Sequence, residues 1–175
     1  MKTGYLFIVC LFALVLITEV RAQNYDSLKT ELERTADPEE RGRLLIRLGL
    51  FMLNKDFSIA YQHFEEALDL GRQRNDSLLM ARALNGLGMT HFYFNDLSQS
   101  SGYYFEAMPF LNDTDPDHRD LLCRIHNNLG WNFERLGNFD QSKYHYDLSL
   151  DYGNDLEDGS YLGLVYNNLG VLYKS

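Results

Sequence analysis

The sequence is poor in the residues that staple, break or terminate a chain. It has two cysteines and three prolines in 175 residues. Cys10 lies in an apolar N-terminal run, so the rest of the chain holds one thiol, Cys123, and no internal disulfide can form there. Positive charge is also scarce, with 16 Lys and Arg against 25 Asp and Glu and a net charge of −9. Such a chain repels the phosphate backbone of nucleic acid and an anionic membrane surface. There is no Gly-rich phosphate loop, no nucleophile elbow and no metal-ligand spacing among the five histidines. The sequence thus implies no metal and no cofactor, and it offers no catalytic constellation. Cys123, set among Leu121, Leu122 and Ile125, reads as a buried, inert thiol.

The only long apolar run lies at the start. MKTGYLFIVCLFALVLITEVRAQ places Lys2 ahead of an apolar stretch from Tyr5 to Ile17, then Val20-Arg21-Ala22 at a cleavage position. That layout is a secretory signal peptide over residues 1–22, and the run is shorter than the ~20 residues that span a bilayer. Removing it shifts the net charge from −9 to −10. The mature part then has no membrane span, and it is expected to be periplasmic or extracellular. Residues 23–37 read as an N-terminal capping helix, centred on YDSLKTELERT.

What the sequence has in quantity is repetition. Leu-Gly pairs fall at Leu48-Gly49, Leu87-Gly88, Leu129-Gly130 and Leu169-Gly170, spaced 39, 42 and 40 residues. Bulky residues lie three before each Leu (Leu45, Leu84, His126, Tyr166) and three after each Gly (Met52, His91, Phe133, Tyr173). Spacings of three and four put them on one helical face. A second pattern follows in three units: a small residue (Ala60, Ser100, Ser142), an aromatic four later (Phe64, Tyr104, Tyr146), and a small residue three beyond (Ala67, Ala107, Ser149). Each unit is predicted to be helix, turn, helix, with the glycines removing side chains where the two helices cross. Asp37-Pro38-Glu39-Glu40 predicts an N-cap, a first-turn proline and a Glu reaching back. Asp115-Pro116 opens the third unit in the same way, and Gly137 is suited to positive φ at a helix end.

These residues resemble the tetratricopeptide repeat, whose pattern is W-x2-L-G-x2-Y, then A-x3-F, then P. Tyr166-x2-Leu169-Gly170-x2-Tyr173 fits the first helix with Tyr for Trp, and Ala60-x3-Phe64 fits the second. The closing Pro is absent, Ser replaces Ala in two units, and the period is about 40 rather than 34 residues. The resemblance implies an all-α, right-handed solenoid over 38–175, with three full repeats and the first helix of a fourth that is cut short. Gly49, Ala60, Phe64, Ala67, Gly88, Tyr104, Ala107, Gly130, Tyr146 and Gly170 are its packing positions.

The resemblance also implies a function: a non-enzymatic module that binds a peptide or protein, of the kind found at the sensory end of exported bacterial signalling proteins. A histidine-kinase sensor region and an envelope scaffold are the alternatives. First helices of the family line a concave face. Carried onto this chain, that face takes Arg82, Asn85, Arg124, Asn127, Asn128, Trp131, Asn167 and Asn168. Amides suit a peptide backbone because they both donate and accept, and Arg suits a carboxylate. The same residues also read as purely structural, the arginines pairing with acidic neighbours and the asparagines bridging adjacent helices. In the last helix, Val165, Leu169, Leu172 and Tyr173 are expected to face an absent partner and to drive self-association.

Overall fold

A computed structural model of the chain describes residues 25–154, 156 and 160–173. The expected signal peptide lies outside them. Every described element is helical. After α1 (residues 25–34) come α2 (Pro38–Met52), α3 (Phe57–Arg74), α4 (Ser77–Tyr93) and α5 (Leu97–Ala107), which tightens into a 3-10 turn at Met108–Phe110. Then follow α6 (Pro116–Arg135), α7 (Phe139–Gly153) and α8 (Ser160–Leu172). Among the described residues there is no strand, and no helix is long and apolar enough to cross a membrane.

The helix starts share one chemical device. Asp37, Asp56, Asp76, Asp96 and Asp115 cap α2 to α6, and Asn138 caps α7, each accepting from backbone N–H groups of the first turn. A cap of this kind contributes about 1 kcal/mol. Three helix ends pass through the left-handed region, at Asn75 (φ 52°), Asn95 (φ 62°) and Gly137 (φ 72°). The expected reach-back of Glu40 does not form. Its carboxylate lies 2.7 Å from Arg43 Nη2 instead, because an i,i+3 guanidinium is the stronger partner.

Consecutive helices pack against each other, α2 on α3, α3 on α4, α4 on α5, α6 on α7 and α7 on α8. The alternate helices α2, α4, α6 and α8 also touch in series. One apolar core runs from Leu28 through Leu44, Leu48, Phe64, Leu84 and Tyr104 to Leu129, and a smaller one joins Tyr146 to Val165, Leu169 and Leu172.

The contact that repeats is an aromatic ring laid on a bare helix. A Cβ added at Gly49 would lie 2.5 Å from the Phe64 ring, at Gly88 2.5 Å from Tyr104, and at Gly130 2.5 Å from Tyr146. Phe64 is held from a second side by Gly86, where a Cβ would come within 2.4 Å. Phe64, Tyr104 and Tyr146 are buried, as are Ala60, Ala67 and Ala107, the small residues around two of them. The fourth glycine of the series differs. Nothing lies within 4 Å of a Cβ at Gly170.

The phase of α8 corrects one expectation. Val165, Leu169 and Leu172 do not face an absent partner; they are buried with Tyr146. Their 4,3 spacing makes the stripe that α7 already covers. The exposed residues of α8 lie around the rest of the helix: Gly163, Asn167, Gly170 and Val171 point away from that stripe, and Tyr166 and Tyr173 flank it, with Tyr173 reaching Lys143 of α7.

Two alanine substitutions should therefore differ in sign. Gly102, in the middle of α5, has nothing within 4 Å of a Cβ, so Gly102→Ala should stabilise by up to ~1 kcal/mol through helix propensity. Gly130→Ala gains the same propensity but forces the Tyr146 ring out of its seat, an overpacking cost of ~1–3 kcal/mol. Urea unfolding of both variants checks this, with the midpoint rising for the first and falling for the second.

Candidate functional site

The alternate helices α2, α4, α6 and α8 present a common face, and residues at i, i+3 and i+4 bring the expected site residues to it. Its two ends differ. Near the N-terminal ends of α2, α4 and α6 lies a cleft of about 510 Å³ lined by Arg43, Arg47 and Arg82, by Glu39, Asp76 and Asp117, and by an apolar floor of Ile46, Leu78 and Leu79. Arg43 is committed to Glu39 and Glu40 at 2.8 and 2.7 Å. Arg82 is held only loosely, 3.8 Å from Asp117. Arg47 is exposed, and no ion pair engages it among the described residues.

The middle of the face is a ladder of amides. Asn128 Nδ2 donates to Asn85 Oδ1 at 3.2 Å, and Asn168 Nδ2 donates to Asn127 Oδ1 at 2.9 Å. Asn127 Nδ2 in turn donates to the Tyr161 hydroxyl at 3.2 Å. Asn85 and Asn127 are buried, at 9% and 2% exposure, so these bonds fasten α4 to α6 and α6 to α8. Asn167 is exposed and stands outside the ladder. Arg124 is engaged too. Its Nε lies 2.8 Å from Asp120, whose hydrogen bond raises its pKa, and its guanidinium sits 4.7 Å above the Tyr161 ring.

The far end is aromatic. Trp131, 45% exposed, packs on Phe92 with ring centres 4.6 Å apart, and Arg135 covers the same ring at 4.8 Å. A niche of about 30 Å³ lies between Trp131, Asn128, Phe92, Tyr93 and Met89. Phe57 stacks on the exposed Tyr93 at 5.6 Å and meets Phe94 edge-on at 5.1 Å. The repeat pattern gave no role to Phe92, Tyr93, Phe94 or Arg135. Their signal was the run HFYF at the end of α4, which stands out only when α6 is laid beside it.

Charge is divided between the two sets of helices. The alternate helices α2, α4, α6 and α8 hold seven arginines against five carboxylates. The helices between them, α3, α5 and α7, hold three basic residues against seven carboxylates. The alternate helices thus carry an excess of arginine on a chain of net charge −9, while the cleft itself sets three arginines beside three carboxylates.

Two buried groups sit behind the face. Cys123 lies 3.4 Å from Ser149 Oγ, and burial raises its thiol pKa, which keeps it protonated and unreactive. His126 of α6 and His145 of α7 meet Nδ1 to Nδ1 at 2.9 Å, the first stacked on Tyr152 and the second on Phe133. One nitrogen must donate and the other accept, so the two rings are never both charged in this contact. Burial, and then the neighbouring His145, lowers His126 to about 4, and burial lowers His145. No group of three or more His, Cys, Asp or Glu suited to a metal occurs among the described residues.

No family model and no curated protein matches the sequence. Among solved structures the chain is similar to BtubC (BKLC) from P. vanneervenii, with a TM-score of 0.70 at 20% sequence identity. The match covers 88% of this chain and 65% of that one, so the chain spans under two thirds of the neighbour's length. At that identity the likeness is one of helical fold.

The histidine pair sets a pH dependence. Unfolded, both rings regain a pKa near 6.5, so below that pH the unfolded chain binds more protons than the folded one. Stability is then full above about pH 6.5 and falls as pH drops toward 4, by on the order of 2 kcal/mol. His63, whose pKa burial also lowers, adds with the same sign. Urea midpoints between pH 7.5 and 5.5 should decline, and the decline should shrink in His126→Leu/His145→Tyr, which copies Leu84 and Tyr103 of the preceding unit.

Proposed function

We propose that this chain is a non-enzymatic binding module built as a right-handed α-solenoid of tetratricopeptide-like units of about 40 residues. It holds an extended segment of another protein, or a peptide, across the face of α2, α4, α6 and α8. With its expected leader, the module works outside the cytoplasm, as the sensory end of a signalling protein.

The observation that carries this reading is the polarity of the face. A cleft where Arg43, Arg47 and Arg82 stand beside Glu39, Asp76 and Asp117 lies at one end, and Trp131, Tyr93 and Phe92 lie at the other. The two ends are about 20 Å apart along α4, from Leu79 to Tyr93 at 1.5 Å per residue. That length suits roughly six extended residues. The chemistry calls for a segment with a carboxylate at one end and a bulky apolar side chain at the other. Arg82 and Arg47 meet the acid, and Trp131 meets the apolar group. The asparagines, spent on one another, hold the helices at the spacing the ligand needs. Arg124, engaged by Asp120 and Tyr161, is second to Arg82 as an anion contact.

A peptide library displayed on phage, selected against the chain, tests this reading. Selected peptides should pair an acidic end with an aromatic or aliphatic residue. Arg82→Ala and Trp131→Ala should each weaken them by ~1–3 kcal/mol, the range of a charged hydrogen bond or a good aromatic contact. Peptides that bind both variants as tightly as the parent would place the site elsewhere.

A further inference from the structure

We infer, resting on the binding reading above, that the cleft at the N-terminal ends of α2, α4 and α6 takes a dipolar stretch of the bound segment. An acidic side chain there meets Arg47 and Arg82, and a basic side chain beside it meets Asp117.

The cleft is balanced in charge. Arg43, Arg47 and Arg82 line it with Glu39, Asp76 and Asp117, three charges of each sign around a floor of Ile46, Leu78 and Leu79. A lone carboxylate entering such a cleft is drawn to the arginines and repelled by the acids. A stretch that carries both signs is attracted by both.

Half of these charges are already engaged by the fold. Arg43 lies 2.8 Å from Glu39 and 2.7 Å from Glu40. Asp76 is the N-cap of α4, and its Oδ1 accepts from the Leu79 N–H at 3.0 Å. Arg47, Arg82 and Asp117 remain. Arg47 is exposed, and no ion pair engages it among the described residues. Asp117 has a side chain 71% exposed, and it caps nothing, because Asp115 accepts from the first N–H groups of α6.

The remaining groups are placed but not bonded. Arg82 Nη2 stands 3.8 Å from Asp117 Oδ2, beyond the reach of a hydrogen bond. A ligand carboxylate between Arg82 and Arg47, with a ligand cation on Asp117, replaces that one loose contact by closer ones. In an extended segment, side chains two residues apart share a face. The chemistry therefore calls for an acidic and a basic residue at that spacing, followed by the apolar residue that Trp131 meets.

The test is a phage-displayed peptide library selected in parallel against the whole chain and its Asp117→Asn variant. Peptides from the parent should carry Lys or Arg within about two positions of the acid. Those from Asp117→Asn should keep the acid and lose the basic neighbour. One parent-selected peptide is then synthesised and titrated by calorimetry. Asp117→Asn should weaken it roughly fivefold, the upper range of an exposed ion pair. Replacing the peptide's basic residue with Gln should weaken it by the same factor, and both changes together by no more than either. Asp117→Glu, which keeps the charge, should bind as the parent does. Acidic, aromatic peptides without a basic neighbour, bound more tightly by Asp117→Asn because Arg82 is freed, would overturn this inference and leave the binding face standing. Peptides indifferent to Arg82→Ala and Trp131→Ala as well as to Asp117→Asn would overturn both.

Discussion

An aromatic ring resting on a helix that has no side chain beneath it is the contact on which this chain depends. Each of Gly49, Gly88 and Gly130 costs its helix about 1 kcal/mol against alanine. Each lets a buried Phe or Tyr settle where a methyl group would be 2.5 Å away, and full burial of such a side chain contributes ~1.5–3 kcal/mol. The exchange favours folding only while the ring is in place. That couples the two helices of a unit, because neither keeps its advantage alone. Phe64, gripped by Gly49 of α2 and Gly86 of α4, extends the same coupling from one unit to the next.

The regularity of that contact made the helices legible. A Leu-Gly pair every 39 to 42 residues and an A-x3-F pattern behind it fix where the helices lie and which glycines are crossings. The caps follow from a simple rule, an Asp or Asn just before each apolar stripe. Other features were not legible, each for its own reason. The side of α8 left bare depends on its rotation relative to α7. Val165, Leu169 and Leu172 are as apolar as the residues that stay exposed, and a sequence does not say which stripe a neighbour takes. The asparagines were ambiguous because an amide complements a peptide and another amide equally well. The bonds from Asn128 to Asn85 and from Asn168 to Asn127 span more than 40 residues, and only packing reveals them. The histidine pair joins positions that the repeat marks merely as bulky.

The amide ladder also explains how a face can be polar in the middle yet rigid. Asn85 and Asn127 are nearly inaccessible, and a buried amide without a partner would cost ~1–3 kcal/mol. Bonding across the helix boundary removes that penalty and fixes the relative height of α4, α6 and α8. A shift of one helix along another would break these bonds together with the ring-on-glycine seats. The arginine cleft and the aromatic niche are consequently held at a set separation.

Charge then decides which surfaces are used. At physiological ionic strength fields decay over about 8 Å, so an approaching molecule responds to the helices it meets and not to the total of −9. Over α2, α4 and α6 it meets arginines, of which Arg47 and Arg82 are the least committed. Over α3, α5 and α7 it meets carboxylates. At α8 it meets neither. In the proposed reading an acidic segment meets Arg47 and Arg82 on the first of these surfaces. The third offers no charge of either sign. The three surfaces follow from how the sequence shares out its charge: an excess of arginine on α2, α4 and α6, an excess of carboxylates on α3, α5 and α7, and no charged residue on α8.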